Sequence, residues 1–285
     1  MRPSRSKAPA VLPGEIARAS DTGGSDTGGS DTGGSDTGGS DTGGRDTGGR
    51  DRRGGTTGGR YRSGSDTCES GPSGRDPGRD CALCPRLVAY RAANRAAHPD
   101  WFNAPVPSFG GLDARLLVVG LAPGVRGANR TGRPFTGDFA GVLLYQTLLR
   151  FGFAEGCYGA DATDGLRLVD CRVTNGVRCV PPGNLPVPAE IAACNGFLAT
   201  ELTAMPRLRA VLALGGVAHR AVLRSRGMKA GDATFAHGAA HVLPGGLLLV
   251  DSYHVSRLNT NTGRLTEPMF AAVVEDLRQR LGQVP

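Results

Sequence analysis

Ala114-Arg-Leu-Leu-Val-Val-Gly-Leu-Ala-Pro-Gly124 is the stretch on which the fold turns. A short apolar run ends in a turn of Gly and Pro, the pattern of a strand that stops at a tight loop. Three more runs share its character: Leu166-Arg-Leu-Val-Asp-Cys-Arg-Val-Thr174, Leu208-Arg-Ala-Val-Leu-Ala-Leu-Gly215 and Leu247-Leu-Leu-Val-Asp-Ser-Tyr-His254. Segments of helical period lie between and after them, at about 138–151, 188–204, 216–226 and 266–281. Strands alternating with helices imply parallel pairing with helices on both faces. The expected fold is α/β, a three-layer α/β/α sandwich around a short central parallel sheet. Ligands of such sheets bind beyond the carboxyl ends of the strands. That rule selects 120–138, 175–188, 215–216 and 254–263.

Composition divides the chain before that domain begins. Residues 20–60 contain no aliphatic, aromatic or sulfur-bearing side chain, and Ser-Asp-Thr-Gly-Gly repeats five times from Ser20 to Gly44. With nothing apolar to bury, residues 1–75 are expected to be a disordered tail. A calcium-binding β-roll would need a periodic aliphatic residue, which this repeat lacks. The Arg/Gly portion from Arg45 to Arg62 offers weak phosphate contacts. Residues 76–285 suffice for one domain with a sizeable core. The tail carries 11 basic and 10 acidic residues, leaving 22 and 16 for the domain. That surplus suits a polyanionic partner without requiring one. No apolar h-region or membrane-length run is present, so no membrane association is expected.

Seven cysteines without a secretion signal read as thiols in a reducing cytoplasm rather than a disulfide scaffold. Cys81 and Cys84 form a CxxC pair, and Cys179 and Cys194 flank a spacer stiffened by Pro181, Pro182, Pro186 and Pro188. Two distant pairs with no histidine at ligand spacing suggest one all-thiolate metal site, for zinc or an iron–sulfur cluster. Cys171 is expected in the core, while Cys68 and Cys157 carry no assigned role.

Four motifs appear in a fixed order: CALCPRL at 81–87, GLAPGVRGANRTGRPFTGD at 120–138, RCVPPGNLPVPAEIAAC at 178–194 and SYHVSRLNTNTGRLT at 252–266. Together they resemble family 5 (B-type) uracil-DNA glycosylases over essentially all of 81–281. The resemblance implies a [4Fe–4S] cluster on Cys81, Cys84, Cys179 and Cys194. It implies excision of uracil, and of other deaminated bases such as hypoxanthine and xanthine, from DNA. The chain would act as a monomer and would leave an abasic site.

Such a reaction extrudes the nucleotide and splits charge between sugar and departing base. Asp138 is the candidate to steady the sugar and orient water, because Leu121 occupies the place where related families carry a polar group. His254 is the candidate donor to the base oxygen. Phe135 would stack on the base, Asn184 or Asn175 would read its edge, and Gly120 and Ala122 complete the base-binding set. Arg130, Arg133, Ser256, Arg257, Leu258 and Asn259 are the expected DNA contacts, with Leu258 as a wedge.

Each assignment has a plainer competitor. Asp138 fits a helix N-cap, Phe135 a core aromatic, His254 a satisfied polar residue, and Leu258 a packed side chain. His219, His237 and His241 read as structural or surface residues. Two other classes compete with the enzyme: a nucleic-acid-binding module whose four cysteines hold a metal, and an electron-transfer iron–sulfur protein. The pairing of Asp138 with His254 favours the enzyme, and the thiols suffice for only one cluster.

Overall fold

The computed structural model describes residues 76–283. The expected tail at 1–75, its repeats and Cys68 lie outside the described residues. The central sheet has strands β1 (Leu116–Gly120), β4 (Cys171–Asn175), β5 (Ala210–Leu214), β6 (Ala240–Val242) and β7 (Leu248–Ser252), in the order β4-β1-β5-β7-β6. Strands β4, β1, β5 and β7 run parallel, as expected, and β6 adds an antiparallel edge.

Alternation along each strand builds the layers, because successive side chains point to opposite faces. Leu116, Val118, Leu212 and Val250 pack with Leu144 and Leu148 of α3 (Phe139–Arg150) and with Phe270, Val274 and Leu277 of α7 (Glu267–Gln283). Leu117, Val119, Val211 and Leu249 point the other way. They meet Leu198 and Leu202 of α4 (Pro188–Ala204) and Ala218 and Val222 of α5 (Gly216–Ser225). Both faces are covered, so the sheet is the middle of three layers. Each buried Val or Leu contributes about 1.5–3 kcal/mol.

The run 166–174 is not one strand. Asp170 turns the chain with φ +50°, and its carboxylate accepts from Arg115 N at 2.8 Å and Arg115 Nε at 2.6 Å. Before that break, β3 (Arg167–Leu168) pairs antiparallel with β2 (Ala154–Glu155). Two elements escape the apolar pattern. Helix α1 (Pro85–Ala97) buries Arg91 and Asn94 as well as Leu87, so its inner face is largely polar. Strand β6 is short and exposes Val242. Two short helices, α2 (Ala128–Thr131) and α6 (Arg257–Asn261), lie inside the loops expected at the ligand end.

A buried ion network ties β4 to α4. Glu201 accepts from Arg172 Nε at 2.6 Å and Arg178 Nη2 at 2.5 Å, and Arg178 also meets Asp76 at 2.9 Å. This anchors the residue directly before Cys179. Among the described residues no helix is long and apolar enough to cross a membrane.

Candidate active site and thiol cluster

A cavity of about 540 Å³ opens where the topology rule places it, beyond the carboxyl ends of β1, β4 and β7. The three loops that line it are made by sequence features with steric reasons. A Cβ on Gly120 would collide with Phe135 Cζ and Asn175 Oδ1, so glycine there lets both side chains reach the cavity. Phe135 adopts φ +52°, a strained choice for an aromatic residue. The turn is held by Tyr145 Oη donating to Pro134 O at 2.6 Å and Tyr158 Oη donating to Phe135 O at 3.2 Å.

Asp138 holds both of its expected positions. It is the N-cap of α3, with Oδ1 accepting from Gly141 N at 3.2 Å. It also lines the cavity. Oδ2 occupies space left open by two glycines, since a Cβ on Gly124 would come within 3.0 Å of it and one on Gly127 would overlap it. Burial pushes its carboxyl pKa above the ordinary value, and the N–H groups of Gly141 and Ala140 only partly offset this.

His254 follows β7 and lies half-buried on the cavity wall, its ring 6.2 Å from that of Phe135. Burial pushes its pKa down to about 4. The imidazole is therefore neutral at physiological pH and offers one N–H. Its backbone carbonyl accepts from Asn259 Nδ2 at 2.8 Å.

Asn175 and Asn184 both line the cavity, in different ways. Asn175 is 3% exposed, and its Oδ1 is buried with no hydrogen-bond partner among the described residues. Asn184 stands exposed at the rim with φ +57°. The inner amide is the one with an unsatisfied buried acceptor. Ala122 also lines the cavity, while Gly120 serves by its small size.

The expected DNA contacts separate sharply. Arg257 is exposed at the mouth, 5.3 Å over the Phe139 ring. Leu258 is 72% exposed, which removes the reading that it packs against the domain. Arg130 is exposed, with Nε donating to Arg126 O at 3.1 Å. Ser256 caps α6 by accepting from Asn259 N. Asn259 donates one amide N–H to the His254 carbonyl at 2.8 Å and so braces that loop.

Arg133 is a correction. It is buried, bonded to both oxygens of Asp164 at 2.8 and 2.7 Å, and enclosed by Phe109, Tyr145 and Tyr158. Arg133 holds the Asp164 carboxyl well below the usual carboxylate range. A guanidinium so engaged fixes the loop from inside and does not reach DNA.

Sequence reading missed Arg126, exposed at the mouth, and the two glycines that admit Asp138. Their signal was available: Gly124 and Gly127 recur in a loop whose one carboxylate is Asp138.

A second, smaller cavity is lined by Cys81, Cys84, Cys179 and Cys194 with Leu87, Val177 and Phe197. Arg91 Nη1 reaches Cys179 Sγ at 3.5 Å, and Arg178 N donates to Cys194 Sγ at 3.4 Å. The apolar lining pushes the Cys179 thiol up to about 12 and raises Cys194 as well. Cys171 is buried in the core, as expected.

His219, His237 and His241 are tied into the fold. His219 Nδ1 lies 2.8 Å from Asp251 Oδ1 and its Nε2 lies 3.0 Å from Ala233 O, while His241 Nε2 lies 3.5 Å from Asp251 Oδ2. These contacts brace β7 just before the His254 loop. His237 Nδ1 accepts from Tyr253 N at 3.2 Å.

Comparison with known proteins points to one family. The model of the Uracil DNA glycosylase superfamily matches residues 107–278. A type-5 uracil-DNA glycosylase of Thermus thermophilus is 46% identical over 208 residues, 71% of this chain and 94% of that protein. Others from Mycobacterium leprae and Pyrobaculum aerophilum are 42% and 43% identical, covering 92% and 86% of their lengths and 71% and 68% of this chain.

Proposed function

This chain belongs to the uracil DNA glycosylase superfamily, and within it to the type-5 enzymes, and from that premise we propose that it hydrolyses the N-glycosidic bond of uracil in DNA, the opening step of base-excision repair. The observation that carries the reading is one cavity holding a half-buried carboxylate, a neutral imidazole and an unsatisfied amide.

The chemistry follows from that arrangement. As the bond to the extruded base breaks, positive charge grows on the sugar and negative charge on the base. Asp138 steadies the first and orients the attacking water, and Leu121 beside it has no polar atom to share the task. His254 donates its N–H to the base oxygen that gains charge. A preplaced donor of this kind contributes roughly 10²–10³ in rate. Phe135 stacks on the base, and Asn175 pairs with its edge or with the water. Lys229 is the lysine among the described residues, and it is exposed between α5 and β6, away from the cavity. Among the described residues no lysine reaches the cavity, so the reaction is read as monofunctional, with an intact abasic site as its product. A cavity of this volume falls in the range that takes ligands larger than one pyrimidine. Hypoxanthine and xanthine are therefore included in the proposed range.

We propose that the four thiols hold a [4Fe–4S] cluster: an all-thiolate set lining one small, largely apolar cavity with no histidine among its walls is donor chemistry that such a cluster takes. When bound it would cross-link the segment before β1 to the loop after β4. The chain is read as a monomer working on DNA in a reducing cytoplasm.

The test is incubation of purified protein with duplexes carrying uracil, hypoxanthine or xanthine, resolved with and without alkali. Strand cleavage after alkali alone is expected. Retention of uracil with tight DNA binding would replace the enzyme by a binding module.

A further inference from the structure

We propose that Leu185 is a second apolar contact to duplex DNA, seated on the strand opposite the extruded nucleotide. The proposal rests on the glycosylase reading above and deepens it. Two leucines stand out from the surface, Leu258 at 72% exposed and Leu185 at 68%. Each directly follows a residue that lines the cavity, Arg257 in one case and Asn184 in the other. When a nucleotide occupies the cavity, the duplex it left must cover that rim. An apolar side chain on the rim is then buried by DNA.

Leu185 is held in place rather than left loose. Pro182 and Pro186 flank it, Gly183 and Asn184 turn the chain with φ +63° and +57°, and Leu185 N donates to Pro182 O at 3.3 Å. Its carbonyl accepts from Arg86 Nη2 at 3.1 Å. Arg86 is itself forked onto Glu190 at 2.7 and 2.8 Å, and Glu190 accepts from Val187 N at 2.9 Å. A backbone fixed on both sides leaves only the side chain to be ordered on binding.

Leu258 is given the gap in the stack and Leu185 the complementary strand, because their loops leave the sheet at β4 and β7, with β1 and β5 between them.

The experiment compares kcat/KM of the full chain on one uracil-containing sequence as a duplex and as a single strand. Leu185→Ala should lower the duplex value about tenfold, the scale set by burying most of a leucine. The single-strand value and the melting temperature should not change, and Leu185→Met should restore most of the duplex value. Equal losses on both substrates would make Leu185 a mere support for Asn184 and overturn the proposal. An unchanged duplex value would overturn it too. If the unmodified protein releases uracil from neither substrate, the glycosylase reading itself fails, and this inference with it.

Discussion

Glu201 is shut inside the domain and Asp138 is half-buried at a cavity wall, and the protein treats the two carboxylates oppositely. Burial penalises the charge on Glu201, but Arg178 and Arg172 outweigh it and hold its pKa below the ordinary value. Asp138 meets the same penalty with only backbone N–H groups against it, and its pKa ends above the ordinary value. One carboxylate is satisfied on every side and is structure. The other keeps an under-compensated charge at the wall of a cavity, which is where charge developing on a sugar finds a partner.

That difference can be broken first at Glu201. Glu201→Ala leaves buried Arg172 without its carboxylate and buried Arg178 with Asp76 alone, and should cost about 3–5 kcal/mol. A urea titration checks it, and the folded fraction should excise at the normal rate. Next comes Cys179→Ser, which removes one thiol from the proposed cluster site. It should lower iron content and melting temperature together, measured by metal analysis and thermal unfolding. A colourless, fully active protein holding stoichiometric zinc would contradict the cluster.

His254→Ala should slow single turnover by about 10²-fold on paired, mismatched and single-stranded uracil alike. Leu258→Ala should act by pairing instead, slowing excision several-fold in stable pairs and little in mismatches, with an unchanged melting temperature. Equal dependence of both variants on the opposite base would erase the division between donor and wedge.

The smallest effects are those of pH. His254 stays neutral down to about pH 4, so it does not limit the rate in mild acid. Asp138 must be ionised, so the rate should fall as pH drops through its raised pKa, and His254→Ala should keep that acid limb. The sign for stability is separate. With a folded pKa depressed from 6.5 to about 4, His254 binds a proton more readily in the unfolded chain. Its presence therefore costs stability as pH falls through that window, and His254→Ala should lose less melting temperature between pH 7 and about 4.5.

The parallel sheet and its ligand end were legible because 114–122, 208–215 and 247–254 are apolar runs closed by polar loops. Cys81, Cys84, Cys179 and Cys194 were legible because few chemistries need thiols so spaced, and Asp138 and His254 because one closes and the other opens a polar loop at the ligand end of the sheet. Arg133 was not, since a guanidinium in a polar loop looks the same whether it meets phosphate or an internal Asp164. Helix α1 was hidden by burying Arg91 and Asn94, which carry no apolar period. The choice between Asn175 and Asn184 needed the third dimension: only packing shows that one amide is enclosed and the other stands at the rim.

Single-turnover excision by Asp138→Asn tests the central claim most directly. Asn caps a helix as well as Asp does, so the fold should keep its melting temperature while the charge is lost. The account predicts a rate lower by roughly 10²–10⁴-fold, with the acid limb of the pH profile gone. A near-normal rate at an unchanged melting temperature would show that the carboxylate is a helix cap and nothing more.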